Sequence, residues 1–301
     1  MNELFDKLIL RIIFTVFLIM ILYIYKYAHS VLYPSAKQQL FKRFFPSKNT
    51  SDTIHLMSRI LGIGIIFSEL YFFISDGILY ALLDFFIESS LTFILFILST
   101  FILDSIVLYN FEFEEEILKK KNYAYAIVSL AHAVCSAYLL KVVLAVSNHS
   151  IIMLIFLWLF GLVLIGFSTK TFSYLSKLPF NRLLVQKNLG VSLSYLGFLV
   201  GWTIIITSSL NNKLEDISLY SVQTLLKIVL SLIIIPIFRK GLVFIFRLQE
   251  EITPEEQSES SEDQVRSLGY GVFEGVTFFT SCYLTTVITG NINFGTFYPI
   301  F

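Results

Sequence analysis

Residues 183–202 read LLVQKNLGVSLSYLGFLVGW. A polar Gln-Lys-Asn triplet opens onto an uncharged apolar run in which Gly190, Gly197 and Gly201 recur. As a helix, the run from Asn188 onward is long enough to cross a hydrocarbon core of roughly 30 Å. Positions 190, 197 and 201 are spaced to share one helix face, leaving a stripe without bulk. Such a stripe lets a neighbouring backbone approach closely, which supplies packing where lipid gives helices no hydrophobic drive to associate. GFLVG (197–201) and GVFEG (271–275) are both of this small-xxx-small kind.

The rest of the chain has the same character. Hydrophobic residues make up 56% and charged residues 15%, with a mean hydropathy of +0.76, well outside soluble composition. Backbone groups in lipid must pair within their own segment, so long apolar runs are helices. None alternates as a barrel strand would. The expected fold is all-α: a polytopic helical membrane protein with about eight transmembrane helices. We place the spans near 7–26, 55–77, 89–109, 122–147, 151–169, 189–209, 218–238 and 268–288. The first carries its stronger positive flank after it and no small-residue cleavage site, so it reads as a retained span.

Positive charge collects in alternate connections: Lys37, Lys42, Arg43 and Lys48; Lys119, Lys120 and Lys121; Lys170, Lys177, Arg182 and Lys187; Arg239, Lys240, Arg247 and Arg266. The intervening connections hold almost none. The positive-inside rule then places the basic loops in the cytoplasm and both termini outside. Net charge is zero, which leaves no basic field for nucleic acid. Cys135 and Cys282 lie in apolar runs without disulfide or metal spacing. Nothing calls for a cofactor or a metal.

The opening stretch has a counterpart. KNYAYAIVSLAHAV from Lys121 aligns with KNLGVSLSYLGFLV from Lys187, with Lys121-Asn122 matching Lys187-Asn188 and Ala131 matching Gly197. Farther on, RSLGYGVFEG from Arg266 sets Gly269 and Gly271 at similar offsets, and Gly275 follows. The earliest unit shares only Leu61-Gly62. The asparagines can cap their helices or recognise a ligand or lipid. Basic and acidic loops alternate between units, so the true repeat is two units long. The chain divides into four-helix halves, 1–148 and 149–301, in parallel duplication.

The acidic loop ahead of LKKKNYAYAIVSLAHA, four spans and a GxxxG-like helix resemble the YjfL-like bacterial inner-membrane proteins, the family called domain of unknown function 350. Lys121, Asn122, Ala124 and Ala126 fit best, followed by Lys187, Asn188, Ser192, Gly197 and Gly201; Ser267 replaces the asparagine in the last unit. The resemblance implies a tandem member, an inner-membrane location and an association with envelope maintenance and membrane stress. It implies no catalytic activity.

Ionisable groups inside spans are candidates for function because lipid exposure is costly. These are Glu69, Asp104, Lys141, Lys227 and Glu274, with Glu69 able to pair with Lys141 or Lys227. His132 is either a packed histidine or a proton relay. HExxH, GxSxG and P-loop signatures are missing, which argues against an enzyme. Expected partners are membrane lipids, which the aromatic and basic AKQQLFKRFFPSK suits. A basic cytosolic partner at the acidic 250–263 loop and a second copy of the chain are further ones. Two functions remain: a non-enzymatic envelope-integrity or stress module, and an ion or small-solute path between the halves.

Overall fold

The computed structural model describes residues 2–42, 44–72, 77–211, 217–246 and 261–289, with side chains from residue 8 in the first helix and from 268 in the last. Eight long helices account for most of this: α1 (Asn2–Leu32), α3 (Thr50–Phe67), α4 (Ile78–Val107), α5 (Tyr123–Ser147), α6 (Ile151–Gly166), α9 (Leu189–Leu210), α10 (Ile217–Ile245) and α11 (Ser261–Thr289). Short helices α2 (Lys37–Lys42), α7 (Ser168–Ser176) and α8 (Phe180–Val185) and a π-helical turn (Glu114–Lys119) fill the basic connections. Seven of the long helices are apolar and long enough to cross a membrane. The eighth, α3, is 18 residues long and carries Asp52, His55 and Arg59, all buried.

Packing explains which helices take small residues. α3, α5, α9 and α11 form a row, each against the next; α4 and α6 flank α5, while α1 and α10 lie outermost. The row helices α5 and α9 are the most enclosed, and α1 and α10 present most of their surface outward. Along the α9–α11 contact the glycines interlock. A Cβ on Gly197 would strike the backbone of Gly275, and one on Gly271 would strike the backbone of Gly190. Gly201 faces Cys282. Ala131 is fully buried on α5. Hydroxyls within the spans are mostly satisfied by carbonyls of their own helices, as Thr203 is by Leu199 at 2.8 Å and Ser281 by Thr277 at 2.7 Å.

The repeated Lys-Asn pair is a corner. Lys187 adopts a left-handed conformation, φ 58°. Its N–H reaches the Leu184 carbonyl and that of Asn188 the Leu183 carbonyl, both at 3.0 Å. This is the Schellman ending of α8. The next residue, Asn188, then caps α9, its Oδ1 accepting from the Val191 N–H at 3.0 Å. Lys121, φ 50°, and Asn122, accepting from the Tyr125 N–H at 3.2 Å, make the same corner into α5. Two residues thus end an interfacial segment and start a spanning helix.

The structure departs from the sequence reading in several places. The first unit has its own pair, Lys48-Asn49, with Asn49 accepting from the Asp52 N–H at 3.2 Å. An apolar-run criterion starts that span too late to see it. The same helix ends at Phe67, so Glu69 lies beyond it. The stretch SDGILYALLDFFIES, read as a connection, is helical from Ile78 onward. Asp84 and Glu88, one helical turn apart, line a cavity there rather than a loop. α10 runs to Ile245, taking Arg239 and Lys240 into the helix. Of the acidic segment 250–263, only 261–263 fall within the described residues, as the first turn of α11.

Candidate functional site

Residues four apart on one helix share a face. Tyr25, His29 and Tyr33 therefore line one side of α1 and its end, toward α3, where His55 and Arg59 are likewise four apart. His55 packs between Tyr33 and Phe113, each ring 4.8 Å away, with His29 at 5.7 Å. Tyr25 Oη and His29 Nδ1 are hydrogen-bonded at 3.0 Å. Neither ring nitrogen of the fully buried His55 has a partner among the described residues.

From there a polar network runs across the row. Arg59 Nη2 donates to Asp104 Oδ2 at 2.5 Å and to Ser129 Oγ at 2.6 Å. Arg59 Nη1 reaches Ser58 Oγ and the His55 carbonyl at 2.9 and 3.2 Å. The Ser129 hydroxyl in turn donates to Asp104 Oδ2 at 3.1 Å. The other carboxylate oxygen, Oδ1, lies 2.7 Å from His132 Nδ1. His132 Nε2 then meets Tyr195 Oη at 3.4 Å, and Tyr195 Oη meets Ser168 Oγ at 3.0 Å.

Donor counting orders the protons. An ionised carboxylate only accepts, so Nδ1 of His132 carries hydrogen toward Asp104. Where the ring holds only that proton, Nε2 is an acceptor for the Tyr195 hydroxyl, which accepts in turn from Ser168. Arg59 and Asp104 neutralise each other, the condition under which a buried ion pair persists. The first four residues of this chain, Arg59, Asp104, Ser129 and His132, belong to the first half. Tyr195 and Ser168 belong to the second, so the network closes the seam between halves. Trp158 Nε1 crosses the same seam, donating to Ser99 Oγ at 2.7 Å.

A second ion pair, with its acid buried and its arginine half-buried, stands in the other half. Arg239 on α10 donates to Glu274 on α11 at 2.5 Å and sits 5.1 Å over the Phe278 ring. The third long helix of each half thus contributes a charge, an acid in the first half and an arginine in the second, and the partner comes from a different helix each time.

The sequence-derived candidates divide accordingly. Asp104 and Glu274 belong to these two pairs. Glu69 and Lys141 meet each other at 3.7 Å, both about one-third exposed, in a separate place. Lys227 is buried on α10, its carbonyl accepting from Ser231 Oγ at 2.7 Å. Asn122 and Asn188 cap helices. Asn122 also donates through Nδ2 to Glu116 Oε2 at 2.8 Å and to the Leu184 carbonyl at 3.3 Å. Asn49 does likewise to the Ile117 carbonyl at 3.1 Å. Each of these two asparagines therefore holds the approach to the next row helix. Lys121 and Lys187 are the left-handed corner residues, and Lys187 Nζ reaches the Lys120 carbonyl at 3.0 Å.

Sequence reasoning passed over Arg59, His55, His29 and Tyr195. Arg59 is an ionisable residue inside an expected span, so the cost argument that selected Asp104 applies to it equally. For His29 the signal is the four-residue spacing of Tyr25, His29 and Tyr33, and for His55 its place four residues before Arg59. Tyr195 is visible only when the halves are docked.

Two comparisons with known proteins, one against curated sequences and one against solved structures, return no match. A third, against protein families, returns Domain of Unknown Function (DUF350) twice, over residues 3–144 and 146–280. The two matches together cover nearly the whole chain, one copy on each side of the seam, and so this multi-pass membrane protein belongs to the DUF350 family as a tandem member.

Proposed function

We propose that this protein is a non-enzymatic component of the bacterial inner membrane, with both termini outside, that serves envelope integrity under membrane stress. In this reading its two halves act as one mechanically coupled unit. The observation that carries it is the closure of the Arg59–Asp104–Ser129–His132 network onto Tyr195 and Ser168 across the seam. Polar groups in a spanning bundle are costly unless mutually satisfied, so separating the halves would expose His132 and Asp104. The interlocked glycines bring α9 and α11 backbone to backbone, which supports the second half acting as one packed body.

Tyr195→Phe tests it, because it removes one hydroxyl at the seam and leaves the Arg59–Asp104 pair in place. In a strain lacking the protein, the wild type should restore resistance to detergent and dye entry, and Tyr195→Phe at equal abundance should not. Full complementation by Tyr195→Phe would refute the coupling.

One observation favours a second reading. Asp104, His132, Tyr195 and Ser168 form a hydrogen-bonded line through groups that exchange protons, as a proton path between the halves would need. Proteoliposomes carrying the protein would then collapse an imposed pH gradient, and His132→Phe would abolish the collapse.

A further inference from the structure

A cavity of about 430 Å³ opens at the lysine-rich end, where α2, the segment before α3 and the corner into α5 converge. Its wall is mixed. Lys42, Lys48 and Lys121 bring ammonium groups from three separate segments, and Phe44, Phe45 and Leu118 supply an apolar side. Lys48 Nζ is held 4.5 Å over the Phe45 ring. Beside them is Asp52, which is 2% exposed. Its main-chain N–H is capped by Asn49, but its carboxylate has no hydrogen-bond or ion-pair partner among the described residues, although three lysines line the same cavity. A buried carboxylate left without a partner beside a basic cavity is a group waiting for a donor.

We propose that this cavity binds the headgroup of an anionic phospholipid whose polar end carries hydroxyls. The three lysines hold the phosphate, and Asp52 accepts from a headgroup hydroxyl. Charge selects this class. Three ammonium groups against one carboxylate favour a ligand of net negative charge over a zwitterionic one. Position selects a lipid over a soluble phosphate: Phe45 of the wall is exposed, as is Phe41 one residue before Lys42, and Lys26 of α1 packs 4.7 Å over Phe41, which sets the cavity near the end of a spanning helix. Aromatic and basic side chains together are the chemistry of the headgroup layer. The inference is independent of the network at the seam.

The test uses the full-length protein in a neutral detergent, titrated with dioctanoyl phosphatidylglycerol, dioctanoyl phosphatidylethanolamine, dioctanoyl phosphatidic acid and inorganic phosphate, with binding followed calorimetrically. The glycerol lipid should bind saturably, at least several-fold tighter than the ethanolamine lipid and than phosphate. Lys42→Gln/Lys48→Gln should weaken it ten-fold or more. Lys170→Gln/Lys240→Gln, which removes the same charge at the same end but outside the cavity, should leave it unchanged. Asp52→Asn should erase the preference for phosphatidylglycerol over phosphatidic acid. Equal loss in the two double variants would mean diffuse attraction and overturn the site. Inorganic phosphate binding as tightly as the lipid would overturn the lipid assignment, and an unaltered preference in Asp52→Asn would overturn the role of that carboxylate.

Discussion

Asp104→Asn is the substitution that most directly tests how the buried network is held. Asp104 Oδ2 accepts from Arg59 and Ser129, and Oδ1 accepts from His132. An amide keeps the shape but supplies one oxygen and one NH₂. Arg59 has no acceptor form, so the amide oxygen must stay with it. The NH₂ then faces His132 Nδ1, which must surrender its proton and move it to Nε2, reversing the bond to Tyr195. The larger loss is electrostatic, because Arg59 is left as a buried cation without a counter-charge, and breaking such a pair from one side costs about 3–5 kcal/mol. Arg59→Met/Asp104→Leu removes both charges at similar volume and should be clearly more stable than the single variant, its remaining loss coming from the Ser129 and His132 donors left without Asp104. Unfolding of the purified protein by sodium dodecyl sulfate, in mixed micelles and followed by fluorescence of the buried Trp158 and Trp202, measures all three. Two results would refute the reasoning: a single variant as stable as the wild type, or a double variant as unstable as the single one.

The same unfolding assay reaches the helix contacts. Gly197→Ala and Gly271→Ala press a methyl group into facing backbone and should cost about 1–3 kcal/mol, whereas Gly269→Ala, with open space around it, should be neutral or slightly stabilising. Asn122→Ala should cost more than the ~1 kcal/mol of an ordinary cap, because the side chain also serves Glu116 and Leu184; a loss no larger than that would show the second role to be idle. Lys187→Gly should stabilise the fold by about 1 kcal/mol through relief of a left-handed side chain, and a decrease would mean that the ammonium contact with the Lys120 carbonyl outweighs it.

What the sequence determined by itself is whatever depends on local composition and period. Apolar runs too long for a soluble core require spanning helices, because backbone groups in lipid have no other partner. The Lys121-Asn122 and Lys187-Asn188 pairs made the duplication visible, since a corner between an interfacial segment and a span needs a cap whatever the helix packs against. The glycines of 190–201 and 271–275 announced a close contact but not with what; only docking α11 on α9 set Gly271 against Gly190 and Gly275 against Gly197. Tertiary structure alone decided the partners of charged groups. Asp104 has no neighbour in sequence that could satisfy it, and its ligands come from α3 and α5, with the line continuing to a tyrosine of the other half. Glu274 met Arg239 because α10 extends past the end that hydropathy assigned it. A buried charge must be satisfied across space, and the residues that satisfy it are chosen by which helices touch, which is a property of the packed bundle rather than of any one stretch of chain.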